Sequence, residues 1–282
     1  MTTHGEFISI RDYKRLCSLI YDQAGIHLGT ERKTMLEVRI KRRLRELEIP
    51  SYGEYCDFVF SPEGMKEELI HLIDVVTTNK TDFFRENGHF EYLAQKALPE
   101  FVESNSTGRP FTIWSAGCST GEEPYTMAIV LNEFAVTHPG FRFRIMASDI
   151  SNLVLAKAEA GIYAEDDIKP VALPLRRKYF MRSRDKMRPR VRVVPEMRRQ
   201  VEFRRLNFMD SDYGLREKID AVFCRNVIIY FDRPTQERIL LKLANCLLPN
   251  SFMFVGHAET LHDMTLPLTP IAPSVYRRTH GG

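Results

Sequence analysis

Cysteine is scarce and unpatterned in this chain of 282 residues. Its five cysteines (Cys17, Cys56, Cys118, Cys224 and Cys246) are odd in number and contain no C-x-x-C pair. That excludes a zinc ribbon and a disulfide framework. Reduced thiols are expected, and with them a cytoplasmic setting. No apolar run has membrane-spanning length and no secretory leader is evident, so no membrane insertion is expected. His257, beside Glu259, reads as a hydrogen-bonded residue at a strand end, and the other seven histidines lack ligand spacing, so no metal is expected. There is no internal repeat and no low-complexity tract. An excess of one charge is also missing: the net charge is +3, too small to require a nucleic-acid partner. What remains is an ordinary globular composition, 44% hydrophobic and 27% charged, long enough for one large or two ordinary domains.

The most informative stretch runs from Phe111 to Thr126. Phe111–Trp114 reads as a buried strand, followed by small residues with glycines at 117 and 121. An apolar helical pattern then starts after Glu122, Glu123 and Pro124. Strand, glycine turn and helix form the leading edge of a nucleotide-binding α/β unit, although the same loop also reads as a plain tight turn. The spacing is not the dinucleotide G-x-G-x-x-G. Two acids immediately after the loop would repel a phosphate but suit a cation or a ribose hydroxyl. A second strand, 141–147, leads into Asp149, placed as a ribose acceptor. A nucleoside with a positively charged tail fits these features, which points to S-adenosylmethionine.

Residues 1–76 are expected to be all-helical. Ser9 caps a helix carrying Tyr13, Leu16, Cys17, Ile20 and Tyr21, and the 25–29 stretch breaks it. Thr30 caps a second helix, 31–47, whose apolar stripe is Leu36, Ile40, Leu44 and Leu47. Arg39, Lys41, Arg42 and Arg45 fall on the opposite side, with Arg32 and Arg43 flanking the stripe. Such a run can be a solvated face. Its acids gather at the ends, however, and the basic middle favours an acidic partner, either nucleic acid or an acidic protein helix. Further helices are expected over 55–60 and 63–76.

Residues 77–90 read as a linker in which Phe83 and Phe84 pack while Asn79, Thr81 and Arg85 can reach a ligand. The alternative there is an ordinary helix start capped by Thr81 or Asp82. Residues 91–282 form the α/β domain, with an arginine-rich, alternating excursion at about 179–204 that suggests a small antiparallel β-subdomain. A strand ending near Phe208 delivers Asn207, and the strand 219–224 delivers Arg225, Asn226 and then Tyr230. Ligands lie beyond the carboxyl ends of such strands, so these residues and Asp149 are expected to meet the glycine loop at one crevice. Ser119 also resembles a nucleophile elbow. A hydrolase would then need Asp220 and His257 as partners, and Asp220 lies inside a strand.

Taken together, the sequence resembles the chemotaxis protein methyltransferases, the CheR family. The resemblance rests on 77–86 (TTNKTDFFRE), 114–125 (WSAGCSTGEEPY), 147–150 (ASDI), 223–232 (FCRNVIIYFD) and 256–259 (GHAE). It implies a helical N-terminal domain, a Rossmann-like methyltransferase domain with an inserted antiparallel β-subdomain, and S-adenosylmethionine as cofactor. It also implies methyl esterification of glutamate side chains on the cytoplasmic signalling domain of chemoreceptors, leaving S-adenosylhomocysteine. Implied cofactor residues are Asn79, Thr81, Arg85, Gly117, Glu123 (or Glu122), Asp149, Asn207, Phe208, Arg225 and Asn226. Arg85 and Tyr230 are expected near the transferring methyl group. Arg32, Arg39, Arg42, Arg43 and Arg45 are expected to face the receptor. Some members hold a receptor tether with a glycine-containing loop of the β-subdomain. The matching stretch here, 182–190, has no glycine, so action without a tether is expected, and as a monomer. Two other readings are kept: a nucleic-acid methyltransferase using the basic helix, and a non-catalytic cofactor sensor.

Overall fold

The computed structural model describes residues 7–105, 108–185 and 187–279. Lys186, in the loop expected to lack a tether-binding glycine, and residues 106–107, before the first strand, lie outside the described residues. The chain divides into two compact units. One comprises the residues up to Thr78 together with Asn207–Ser211 and Tyr230–Thr235, and the other the remainder.

The first unit is helical: α1 (Ile10–Ala24), α2 (Lys33–Glu46), α3 (Tyr52–Val59), α4 (Pro62–Glu67) and α5 (Leu69–Val76). Ser9 caps α1 by accepting from the Asp12 amide at 3.0 Å, and Gly25 closes it in the left-handed conformation (φ 71°). Ser51 and Ser61 cap α3 and α4 in the same way. α4 packs so closely on the end of α3 that a Cβ at Gly64 would meet the Phe58 carbonyl oxygen at 1.9 Å. The expected stripe of α2 is buried at Leu36, Ile40 and Leu44, but Leu47 is only half-buried because the helix stops at Glu46. A 3-10 turn, Thr30–Arg32, replaces its expected first turn.

Two of the arginines assigned to a partner-facing surface point inward. Arg43 grips Glu68 through Nε (2.9 Å) and Nη2 (2.6 Å), and the Tyr55 hydroxyl donates to the same carboxylate at 2.8 Å. Glu68 is 2% exposed and Tyr55 fully buried, so this is a desolvated pair. Arg39 donates to the carbonyls of Val75, Val76 and Thr77 at 2.8–3.0 Å, satisfying the carbonyls at the end of α5 that have no helical partner. Arg42 pairs with Glu46 at 2.8 Å, and its side chain is 78% exposed. Lys41 and Arg45 are also exposed.

The second unit opens with α6 (Gly88–Tyr92), a π-turn (Leu93–Ala97) and α7 (Leu98–Ser104). The π-turn falls where Pro99 removes a helical N–H and forces the preceding turn to widen. Its main sheet has seven strands. These are β1 (Phe111–Ala116), β2 (Phe143–Asp149), β6 (Val201–Arg205), β7 (Ile219–Cys224), β8 (Leu247–Val255), β9 (Leu268–Ala272) and β10 (Val275–Arg278), in the order β6-β2-β1-β7-β8-β10-β9. The first five in that order are mutually parallel, and β10 and β9 close the edge antiparallel. Central β1 and β7 are covered on both faces, which explains their unbroken apolar runs. Helices α8 (Glu122–Thr137), α9 (Asn152–Ala160), α10 (Leu173–Tyr179), α11 (Pro195–Arg198) and α12 (Arg233–Cys246) complete the α/β pattern.

The β-subdomain differs from expectation. Its sheet is β3 (Ile162–Ala164), β5 (Arg190–Val193) and β4 (Phe180–Arg182), so it begins at residue 162 and ends at 193. Residues 201–205 belong to the main sheet, parallel to β2. Three residues after a helix-closing glycine carry too little alternation to announce β3, and Pro270 masks β9, tolerated there because the strand is an edge. Arg43→Ala is expected to lower unfolding free energy by about 3 kcal/mol, because Glu68 is left buried without a counter-charge, whereas Arg42→Ala costs less than ~1 kcal/mol. Parallel urea melts check this; equal costs would contradict it.

Candidate active site

The glycine loop is tied to the tip of β2. The amides of Gly117 and Cys118 donate to the Ser148 carbonyl at 2.8 and 2.9 Å, and the Ser119 amide donates to Asp149 Oδ2 at 2.9 Å. The Ser119 hydroxyl donates to the Asn79 carbonyl at 2.8 Å, which brings the 77–90 linker to the same loop. Gly117, Ser119 and Gly121 all have positive φ. Glycine is required at 117 because a Cβ there would lie 2.5 Å from Val227 Cγ2. The other oxygen of Asp149 accepts the Ser151 amide at 3.0 Å.

Arg225 sits at the end of β7 with a side chain only 2% exposed. Its Nη1 bonds Glu123 Oε2 at 2.9 Å, while Nη2 bonds the Arg85 carbonyl and approaches Glu86 Oε2 at 3.2 Å. The guanidinium also lies over the Phe90 and Phe223 rings. The second oxygen of Glu123 accepts the Ser115 hydroxyl at 2.7 Å. Arg225 and Glu123 therefore engage one another and the 85–86 backbone inside the unit. Arg85 itself turns its side chain to the Lys80 carbonyl at 2.9 Å. Phe83 is buried against Tyr163 and Phe180 at 5.0 and 5.4 Å between ring centroids. Thr81 is half-buried in the same linker.

Two carboxylates emerge that sequence reasoning gave no role. Glu259, 5% exposed, accepts four backbone amides: Val227 and Ile228 on Oε1 at 2.8 and 2.9 Å, and Asn226 and Gly256 on Oε2 at 2.8 and 2.6 Å. It moulds the loop after β7 and holds Asn226 at φ 58°. Glu86 bonds Asn226 Nδ2 at 3.3 Å beside its contact with Arg225. The usable signal for Glu259 was its position three residues beyond Gly256 at a strand end, where loop amides gather. The hydrolase reading fails: Asp220 is held by Arg109 at 2.6 and 2.8 Å and by the Thr112 amide at 2.9 Å, remote in role from Ser119.

Asn207, Phe208 and Tyr230 group with the helical unit. The Asn207 side chain donates to the Gln23 carbonyl at 2.6 Å, and the Tyr230 carbonyl accepts the His27 amide at 2.9 Å. Phe208 packs near Phe231, and Arg32 lies 5.8 Å from the Tyr230 ring centroid.

Burial at the start of α8 pushes the Glu122 carboxyl up to about 7, only partly offset by a hydrogen bond from Thr120. The folded chain keeps a proton that the unfolded chain releases above its ordinary value of 4.5, so stability is lost as pH rises from 4.5 through about 7. Glu122→Gln removes that loss. Its stability relative to the parent is expected to grow by about 3 kcal/mol between pH 4 and pH 8 in denaturant melts. A difference independent of pH would contradict the burial argument.

Comparisons with known proteins agree with this geometry. Residues 11–77 match the family model "CheR methyltransferase, all-alpha domain", and residues 79–275 match "CheR methyltransferase, SAM binding domain". The chain is 37% identical over 270 residues to a chemotaxis protein methyltransferase of Borreliella burgdorferi, covering 95% of this chain and 94% of that one. It is also 37% identical over 269 residues to those of Salmonella typhimurium and Escherichia coli, covering 95% of this chain and 90% and 91% of theirs. Both the helical unit and the α/β unit are thus matched, and the chain belongs to the CheR methyltransferases, enzymes that use S-adenosylmethionine.

Proposed function

We propose that the protein methylates glutamate side-chain carboxylates on the signalling domains of chemoreceptors, releasing S-adenosylhomocysteine. The observation that carries this reading is the glycine loop, hydrogen-bonded to Asp149 and the Asn79 linker, in a chain of this family. The residues fit the cofactor: the Asp149 carboxylate stands at the tip of β2 beside the glycine loop, the position of a ribose acceptor in such folds. When bound, the cofactor supplies an electrophilic methyl on a sulfonium. A glutamate carboxylate is ionised at neutral pH and serves as its own nucleophile, so no general base is required. The chain's task is alignment and exclusion of water.

Asn79, Thr81, Arg85, Gly117, Asp149, Asn207, Phe208 and Asn226 are assigned to cofactor binding. Arg225 and Glu123 are assigned to holding those residues in place. Arg85 is assigned to orienting the carboxylate and Tyr230 to walling the methyl group. Because Arg39 and Arg43 are engaged inside the helical unit, the receptor-facing charge is reassigned to Arg32, Lys41, Arg42 and Arg45. The lack of glycine in the 182–190 loop supports action without a tether. The basic helix also suits the alternative substrate, nucleic acid, which the following experiment separates.

Incubation with methyl-labelled cofactor and chemoreceptor membranes is expected to label a receptor-sized band, and mild alkali should release the label as volatile methanol. Alkali-stable label, or label in RNA, would overturn the reading. In the same assay a Lys41→Glu, Arg42→Glu, Arg45→Glu variant should raise KM for receptor about tenfold with kcat little changed.

A further inference from the structure

We infer that Glu86, His89 and His257 form a binding site for a divalent transition-metal ion of the zinc class, and that its occupancy inhibits methyl transfer. One ligand atom from each residue lies within 4.8 Å of the others. His89 Nδ1 and Glu86 Oε2 are 3.7 Å apart, close to the ~3.3 Å that separates two ligands on a tetrahedral ion with bonds of about 2.0 Å. The rings of His89 and His257 are 5.0 Å apart between centroids. Rotation of the exposed His257 side chain can close the remaining distance without moving the backbone.

A second observation points to a ligand. His89 is 2% exposed, and neither ring nitrogen has a hydrogen-bond partner among the described residues. Leaving a buried imidazole unpaired is costly, and such a group calls for an explanation. Phe223 and Phe254 meet the ring edge-on, so its polar surroundings are Glu86 and His257, with the Pro273 carbonyl near but outside hydrogen-bond geometry. A carbonyl at that position can take the proton of one ring nitrogen, leaving the other with its lone pair directed at an ion.

The donor set is borderline-soft: two imidazoles and a carboxylate, which suits Zn²⁺ or Co²⁺ rather than Mg²⁺ or Ca²⁺. Arg225 stands beside Glu86 and opposes a cation. Two carboxylates, Glu86 and Glu123, contact that single guanidinium, however, and Glu259 holds the Gly256 amide next to His257. A divalent ion therefore does not enter a positive site.

The consequence for activity follows from sharing. Glu86 Oε2 contacts both Arg225 Nη2 at 3.2 Å and the His257 amide at 3.3 Å. An ion bonded to that oxygen competes with Arg225 and loosens its hold on the 85–86 backbone. Metal and cofactor should then oppose one another, an effect that is reciprocal in binding. This second half rests on the proposed methyl transfer, whereas the metal binding does not.

The test is a titration of the metal-free full chain with Co²⁺, read by its visible ligand-field bands, followed by displacement with Zn²⁺. One equivalent is expected to bind with a tetrahedral spectrum. His257→Ala should weaken binding at least tenfold, while His262→Ala, at an exposed histidine elsewhere, should not change it. Zn²⁺ should reduce methyl transfer by the parent chain and EDTA should restore it, with His257→Ala active and insensitive to zinc. Absence of a one-equivalent tetrahedral spectrum, or binding unchanged by His257→Ala, would overturn the site. Stoichiometric binding without effect on methyl transfer would overturn the inhibitory half alone.

Discussion

The guanidinium of Arg225 is a cation with almost no access to water, and the candidate site is arranged around its neutralisation. A buried charge of this kind is tolerated only when its partners are fixed, and removing one partner of a buried pair typically costs about 3–5 kcal/mol. Glu123 comes from the first turn of α8, Arg225 from the end of β7, and the Arg85 carbonyl and Glu86 from the linker that opens the unit. One side chain therefore binds together three parts of the chain far apart in sequence. Phe84, Glu86, Ser119 and Asn226 are non-glycine residues held at positive φ of 49–58°. Each such residue carries strain of order 1–3 kcal/mol that surrounding bonds must offset. Those bonds are visible: Thr126 to the Phe84 amide, Arg225 and Asn226 to Glu86, Asp149 to the Ser119 amide, and Glu259 to Asn226.

The helical unit solves a different problem with the same residue type. Its basic helix divides its arginines between two tasks. Arg39 and Arg43 complete the unit from inside, on the helix-end carbonyls of α5 and on the buried Glu68. Lys41, Arg42 and Arg45 remain exposed. The cluster thus serves stability and display at once, and only its exposed part can steer an acidic partner. Long stems make the division possible, because an arginine flanking an apolar stripe can reach either way.

Much of this was legible in the sequence. Strand, glycine turn and acid-led helix fixed β1, the loop and α8, and Asp149 was placed at the tip of β2, because covered parallel strands read as apolar runs and glycine turns have few uses. Caps at Ser9 and Gly25 marked α1 at both ends. The sequence could not tell Arg39 and Arg43 from Arg42, since their partners Glu68 and the α5 carbonyls lie 25 or more residues away. Glu259 left no periodic trace: a carboxylate that accepts backbone amides is identified only by where those amides end up. The β-subdomain was misplaced because residues 162–164 are too short to show alternation, while 201–205 alternate but pair with β2.

We propose that Arg225 fixes the linker and the start of α8 in the geometry that receives the cofactor. Calorimetric titration of S-adenosylhomocysteine into Arg225→Lys tests it most directly, with thermal unfolding and circular dichroism on the same sample. Lysine keeps the charge but cannot bridge Glu123 and the 85–86 backbone together in a fixed plane. The account predicts a folded protein that binds the product at least about tenfold more weakly, a loss of ~1.4 kcal/mol or more. Unchanged affinity in a folded Arg225→Lys protein would contradict it.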